Sequence, residues 1–189
     1  MKWKKEWVSY ALGKELPELV LKNANVVDVF SKRVRTADVA IQEGRIVGVG
    51  EYRGKREENL AGRYVCPGLI DAHVHIESSM TSPALFSRQI LPHGTTTVIA
   101  DPHEIVNVAG ERGMEYMLRA SENVPVNVYW MLPSCVPINS LEHNGAVYDA
   151  AQMERLCRHP RVLGLGEVMD CPGVLVGKPE LLEKIELMR

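Results

Sequence analysis

His73 and His75 stand two residues apart at the end of the apolar run Leu69-Ile70-Asp71-Ala72-His73-Val74. Successive side chains of a β-strand alternate faces, so both imidazoles point the same way. Side by side at a strand end, they can share one divalent ion, and neutral imidazole suits Zn, Mn or Fe. Two histidines satisfied by hydrogen bonds is the competing reading of so short a motif. Glu167, within Gly164-Leu165-Gly166-Glu167-Val168, ends another apolar run. It reads as a carboxylate that bridges metal ions or as an exposed loop residue. Asp101-Pro102-His103-Glu104 adds three potential ligands just after the second apolar run, Thr95–Ala100. Asp101 serves equally well as a helix cap there, and Glu104 suits the positive end of the helix that follows. Glu77, Ser78 and Ser79 come directly after His75. Glu77 is the candidate for catalytic proton transfer, and Ser78 and Ser79 for hydrogen-bonding a polar substrate. A turn-forming role fits all three as well. His93 and His159 read as helix-end residues near terminal carbonyls, and His143 as a loop residue that could line the mouth.

These groups need a scaffold that aims them at one place. Four apolar strand candidates follow Pro67: Leu69–Val74, Thr95–Ala100, Val126–Leu132 and Val162–Val168. Helix-like segments over 82–91, 105–121 and 148–157 separate them, and a further helix begins at Lys178. Ser82-Pro83 reads as an N-cap with Pro in the first helical position, and His93-Gly94 as the stop. Strands alternating with helices mean βαβ units and a parallel sheet. A (β/α)₈ barrel takes about 250 residues, so this region has room for half of one, and barrel sites lie at the strands' C-terminal ends.

The stretch before Pro67 has a different rhythm. Residues 6–12 predict a short helix. Leu19–Leu21, Val26–Phe30, Asp38–Gln42 and Arg45–Val49 read as strands, the last two joined by the turn Glu43-Gly44. A small antiparallel unit over 18–66 is expected, too little for a core of its own. The charged stretch 51–63 reads as a solvated loop or hairpin tip.

Composition excludes several classes. The 189 residues are 46% hydrophobic and 24% charged with a net charge of −2, the balance of a soluble globular protein. No broad basic field argues for nucleic acid. Lys2, Lys4 and Lys5 make the start basic, but no apolar signal region follows, and no run is long enough to span a membrane. The four cysteines form no C-x-x-C pair, so reduced thiols in a cytoplasmic protein are expected. There is no Walker A motif, no dinucleotide fingerprint and no G-x-S-x-G elbow. His75-Ile76-Glu77 matches the start of the H-x-E zinc deaminase motif, but no P-C-x-x-C follows, which rejects that group.

Pro67-Gly68-Leu69-Ile70-Asp71-Ala72-His73-Val74-His75 resembles the opening strand of the metal-dependent amidohydrolase superfamily. Ile76-Glu77-Ser78-Ser79-Met80, His93-Gly94-Thr95-Thr96-Thr97, Asp101-Pro102-His103-Glu104, Met131–Pro137 and Gly166–Met169 are similar to its adenine deaminase branch. The resemblance runs from about Leu19 to the end. It implies an α/β protein: residues 67–189 as the first four βα units of a TIM-like (β/α)₈ metal-dependent hydrolase barrel, and residues 1–66 as the N-terminal strands of a composite β-sandwich. It implies a binuclear centre of Mn or Fe, with Zn as a further candidate. His73 and His75 match first-strand ligands and Glu167 the bridging carboxylate. Asp101, His103 and Glu104 remain candidates for additional ligands or for the site rim. The later histidine ligands and the proton-shuttling aspartate have no counterpart in this chain.

The implied reaction is adenine plus water giving hypoxanthine plus ammonia, a step of purine salvage. The chain is expected to be an N-terminal piece with little activity alone, from a protein that is a homo-oligomer at full length. Another amidohydrolase, acting on cyclic amides or acetylated amino sugars, and a non-catalytic remnant are the alternatives.

Overall fold

The computed structural model describes residues 4–139 and 141–189, so Lys2 of the basic start lies outside the described residues. The chain divides into two compact units, Met1–Pro67 and Gly68–Arg189. Among the described residues, no helix is long and apolar enough to cross a membrane.

The first unit begins with helix α1 (Glu6–Ala11), as its sequence predicts. Strands β1 (Leu19–Asp28), β2 (Arg33–Gln42), β3 (Arg45–Gly50), β4 (Glu57–Asn59) and β5 (Tyr64–Val65) follow. They form one sheet in the order β3-β2-β1-β4, with β5 also paired to β1. Arg45 faces Gln42, which places the two-residue turn at Glu43-Gly44 as expected. Two expectations need correction. Residues 19–21 and 26–30 are not separate strands, because β1 runs through both with a bulge between Leu21 and Ala24. The asparagine that looks like a loop signal, Asn23, sits in the bulge and donates its backbone N–H to Asp38 Oδ1 at 3.0 Å. The sheet is also mixed: β4, from the stretch read as a loop, and β5 both run parallel to β1. After β3 the chain crosses to the other edge of β1 and returns in the same direction.

Asp38 anchors that bulge from a buried position. Burial alone would push its carboxyl up. The Lys22 ammonium and the backbone N–H groups of Asn23 and Tyr52 outweigh this and hold it below its ordinary 3.8. A carboxyl depressed in the folded state stabilises fully above its unfolded value, and the contribution disappears as pH falls through the folded value. Asp38→Asn is therefore expected to cost about 1–2 kcal/mol at neutral pH. In urea unfolding, the wild-type stability should fall more steeply than the variant's below about pH 4, so that the two curves converge.

The second unit alternates strands and helices. In order they are β6 (Leu69–Val74), α2 (Pro83–Ile90), β7 (Thr95–Ala100), α3 (His103–Ala109), α4 (Glu111–Ala120), β8 (Asn127–Leu132), α5 (Ala150–Glu154), β9 (Val162–Leu165), α6 (Cys171–Leu175) and α7 (Pro179–Leu187). The sheet is parallel throughout, in the sequential order β6-β7-β8-β9. Sequential order with right-handed crossovers puts every connecting helix on one face. That face is the core: Val98, Ala100, Val128, Trp130 and Leu132 from the strands meet Val106, Met114, Met117, Leu118 and Met153. The alternation in β8, with Val128, Trp130 and Leu132 buried, follows from the period of two.

Local signals explain most element ends. Ser82 Oγ accepts from Leu85 N–H and Pro83 opens α2, as read from the sequence. Asp149 and Gln152 cap α5 reciprocally, so this helix starts after Tyr148 and is shorter than the expected 148–157. The predicted helix over 105–121 is two helices. Gly110, at φ 59° and ψ −142°, breaks it in a conformation that a side chain would oppose. Arg161 reaches across and donates to the carbonyls of Leu118 and Ser121 at the end of α4. The fourth strand stops at Leu165 rather than Val168, because the Glu167 N–H turns to the side chain of Asp101. Helix α6 was not expected, although Asp170 caps it and Pro172 lies in its first turn.

Candidate metal centre

His73 and His75 leave the end of β6 with their Nε2 atoms 3.2 Å apart. Glu167 Oε1 lies 3.5 Å from His73 Nε2 and 3.3 Å from His75 Nε2. Tetrahedral ligands at about 2.1 Å from an ion are about 3.4 Å from one another. The three donor atoms therefore have the spacing that one divalent ion imposes. His75 Nδ1 is 2.6 Å from the backbone oxygen of Asp101. A carbonyl only accepts, so Nδ1 carries the proton and the Nε2 lone pair faces the triangle. Desolvation works against a charged His75, but the Asp101 carbonyl and the acids Glu104, Asp101 and Glu167 win and raise its pKa.

Asp101 follows β7 and is 1% exposed. It does not cap α3, whose N-cap is Pro102 with no side-chain bond. Its Oδ2 instead accepts from the Glu167 N–H at 3.2 Å, which ties the ends of the second and fourth strands of this unit together. Burial pushes its carboxyl up against the opposing pull of His103, the Glu167 N–H and His75. His103 lies between acids, its Nδ1 3.8 Å from Asp101 Oδ1 and its Nε2 3.9 Å from Glu104 Oε2.

Glu77 and Glu104 form a carboxylate pair beside His75. Glu104 Oε2 is 3.7 Å from His75 Nδ1, and the Ser78 hydroxyl donates to Glu104 Oε1. Glu77 Oε1 accepts from the Ile105 N–H at 3.3 Å. Burial, and then Glu104, push the Glu77 carboxyl up to about 7. Burial would also raise Glu104, but the Ser78 bond and its neighbours hold it below the ordinary range. The two carboxyls are thus pushed apart, Glu77 upward and Glu104 downward.

The structure brings His73, His75, Glu167, Asp101, His103, Glu104, Glu77 and Ser78 into one neighbourhood. Ser79 is occupied in a turn, its hydroxyl bonded to the Ile76 oxygen and to Thr81 Oγ1. His143 is exposed on its loop. His159 Nδ1 accepts from the Arg161 N–H, where contact with a terminal carbonyl was expected. Sequence reasoning passed over Ser134 and Lys184. The Ser134 hydroxyl donates to the Glu167 backbone oxygen, and buried Lys184 donates to the Ser134 oxygen at 2.9 Å. Pro133-Ser134-Cys135 follows the third of the four strands and so offered a positional hint for Ser134. A lysine in an amphipathic helix offers none.

The amidohydrolase family model matches residues 64–188. The adenine deaminase 2 of Carboxydothermus hydrogenoformans is 55% identical over 98% of this chain and 32% of its own length. The adenine deaminase of Desulfitobacterium hafniense is 51% identical over the same shares. The chain spans about a third of the length of these curated relatives. Among solved structures, a zinc-complexed atrazine chlorohydrolase from Arthrobacter aurescens aligns with a TM-score of 0.56 at 16% identity, over 74% of this chain and 41% of that one. A β-aspartyl dipeptidase from Fervidobacterium islandicum aligns at 0.53 and 18% identity, over 93% and 47%. These two likenesses speak to the fold alone.

Proposed function

The chain belongs to the amidohydrolase family, and on that premise we propose that it forms the metal-bearing part of an enzyme converting adenine and water to hypoxanthine and ammonia. The observation that carries this reading is the 55% identity to an adenine deaminase across nearly the whole chain. We infer that the second unit supplies the first four of the eight βα units of a TIM-like barrel. The strands of residues 1–66 are then part of a composite β-sandwich.

His73, His75 and Glu167 would hold a divalent ion, Mn or Fe, with Zn as a further candidate; when bound, such an ion supplies Lewis-acid activation of water near neutral pH. The remaining work falls to side chains. A new C6–O bond forms and the C6–N bond breaks, so a proton must leave the water and a proton must reach the departing amine. Glu104 is the carboxylate placed for that traffic, beside His75 and oriented by Ser78. Glu77 packs behind it, held by the Ile105 N–H. Ser78 thereby orients Glu104. The Asp101 carbonyl keeps His75 in the tautomer that a metal ligand needs.

A chimera tests this reading. This chain replaces the matching N-terminal third of the Carboxydothermus enzyme, and hypoxanthine formation from adenine is followed after loading with Mn. Turnover within about tenfold of the parent is expected, an allowance of roughly 1.4 kcal/mol in the barrier. A folded, metal-loaded chimera that leaves adenine untouched would sink the proposal.

A further inference from the structure

Two side chains from outside the β ladder hold the backbone of Glu167. The ladder between β8 and β9 ends at Gly166, whose N–H meets the Leu132 oxygen at 2.7 Å. One residue on, the Glu167 N–H goes to Asp101 Oδ2, and the Glu167 carbonyl accepts from the Ser134 hydroxyl. The Ser134 carbonyl accepts in turn from Lys184 Nζ of α7 at 2.9 Å. Ser134 is 5% exposed and Lys184 7%. A lysine is rarely buried without an acid to pair with. Among the described residues Lys184 forms no ion pair, and burial pulls its pKa below the ordinary 10.5. Departures of this kind from packing rules concentrate at functional sites. The Glu167 side chain, by contrast, is 38% exposed, and among the described residues its carboxylate accepts no hydrogen bond. Its place, 3.3 Å from His75 and 3.5 Å from His73, therefore depends on where its backbone is held.

We propose that Ser134 and Lys184 are positioning residues, a clamp that keeps the Glu167 carboxylate against His73 and His75. The inference rests on the reading of Glu167 as a ligand. Lys184 fixes the backbone of Ser134, and the Ser134 hydroxyl fixes the Glu167 carbonyl. Asp101 fixes the N–H of the same residue, so the Glu167 Cα is anchored on both sides. The carboxylate then has only its own rotamers to search for an ion, and no backbone conformations. Pre-organisation of this kind raises affinity by lowering the ordering cost of binding. Lys184 touches no ligand and acts through Ser134 alone, which makes the order of the relay testable.

The test is Mn²⁺ titration of the 189-residue protein, followed by the electron paramagnetic resonance of the free ion, with circular dichroism to check the fold of each variant. Ser134→Ala and Lys184→Met are each expected to weaken Mn²⁺ binding about 10- to 100-fold, the range for removing a group that supports a ligand. Because Lys184 acts through Ser134, the double variant should bind no more weakly than Ser134→Ala. Ser134→Thr, which keeps the hydroxyl, should bind like wild type. Met153→Ala, a core substitution in α5, is the control that lowers stability and leaves Mn²⁺ affinity unchanged. In the metal-free protein, the Glu167 N–H should exchange with solvent at least about tenfold faster in Ser134→Ala and Lys184→Met than in wild type. The proposal is overturned if these two variants bind Mn²⁺ like wild type, or if their losses add in the double variant. It is also overturned if Ser134→Thr binds as weakly as Ser134→Ala, or if Met153→Ala loses as much affinity. Should wild type bind no Mn²⁺, the ligand reading fails by itself and the amide exchange decides the clamp: faster exchange in both variants keeps it, and unchanged exchange overturns it.

Discussion

Replacing His75 with alanine in the chimera is expected to lower adenine turnover by at least about 10³-fold and to release the ion of the His73–His75–Glu167 triangle. His75 contributes two edges of the triangle, at 3.2 Å to His73 and 3.3 Å to Glu167. It is also the better buried of the two histidines, 20% exposed against 53% for His73. Its removal leaves two exposed donors with no third partner and strips the Asp101 carbonyl of its hydrogen bond. A chelator should reproduce the loss in the unsubstituted chimera, and added Mn should restore it there but not in His75→Ala. Retention of both metal and turnover by His75→Ala would remove the triangle from the mechanism.

Gly166→Ala should damage the same centre without replacing any of its three donors. A Cβ at this position would lie 2.0 Å from Asp101 Oδ2 and 2.7 Å from its Cγ. Asp101 has no solvent to retreat into, so either its side chain or the backbone of residue 166 must move. The N–H of Glu167 then loses its acceptor, and the carboxylate at the end of the same residue leaves its place over the histidines. A stability cost of about 1–3 kcal/mol is expected, the usual penalty for forcing extra atoms into a packed site. Mn affinity should weaken at least about tenfold, a loss of roughly 1.4 kcal/mol. Gly164→Ala is the control, since its Cβ meets only the flexible Met131 methyl at 3.3 Å. Thermal unfolding and Mn titration of the two variants separate them, and equal Mn affinity would refute the role given to Gly166.

The parallel unit was legible because its signals are local and repeated. Each of its four strands is an apolar run, and Ser82-Pro83 announced the start of α2 by its cap chemistry. His73 and His75 could be placed on one side because the strand period fixes that relation over two residues. The tie between Asp101 and Glu167 could not be read, because it joins side chain to backbone across 66 residues. The capping role assigned to Asp101 was chemically sound and lost to a competitor that only the folded sheet brings near. The break at Gly110 was hidden by an apolar pattern that continues in phase on both sides of it. In the first unit, the asparagines of β1 read as a loop because the sequence does not show that Asp38 would satisfy the bulge.

The same long tie governs when the centre can come into being. A chain emerging at about 5–20 residues per second releases Glu167 roughly 3–13 s after Asp101. Throughout that interval the nascent polypeptide presents His73 and His75 without the carboxylate that completes their triangle. An ion held by the proposed His73–His75–Glu167 triangle would thus be captured only once the fourth strand has docked. Metal availability in the cell would then act on four docked strands, and a shortage of the ion is expected to leave folded apoprotein rather than aggregated nascent chains.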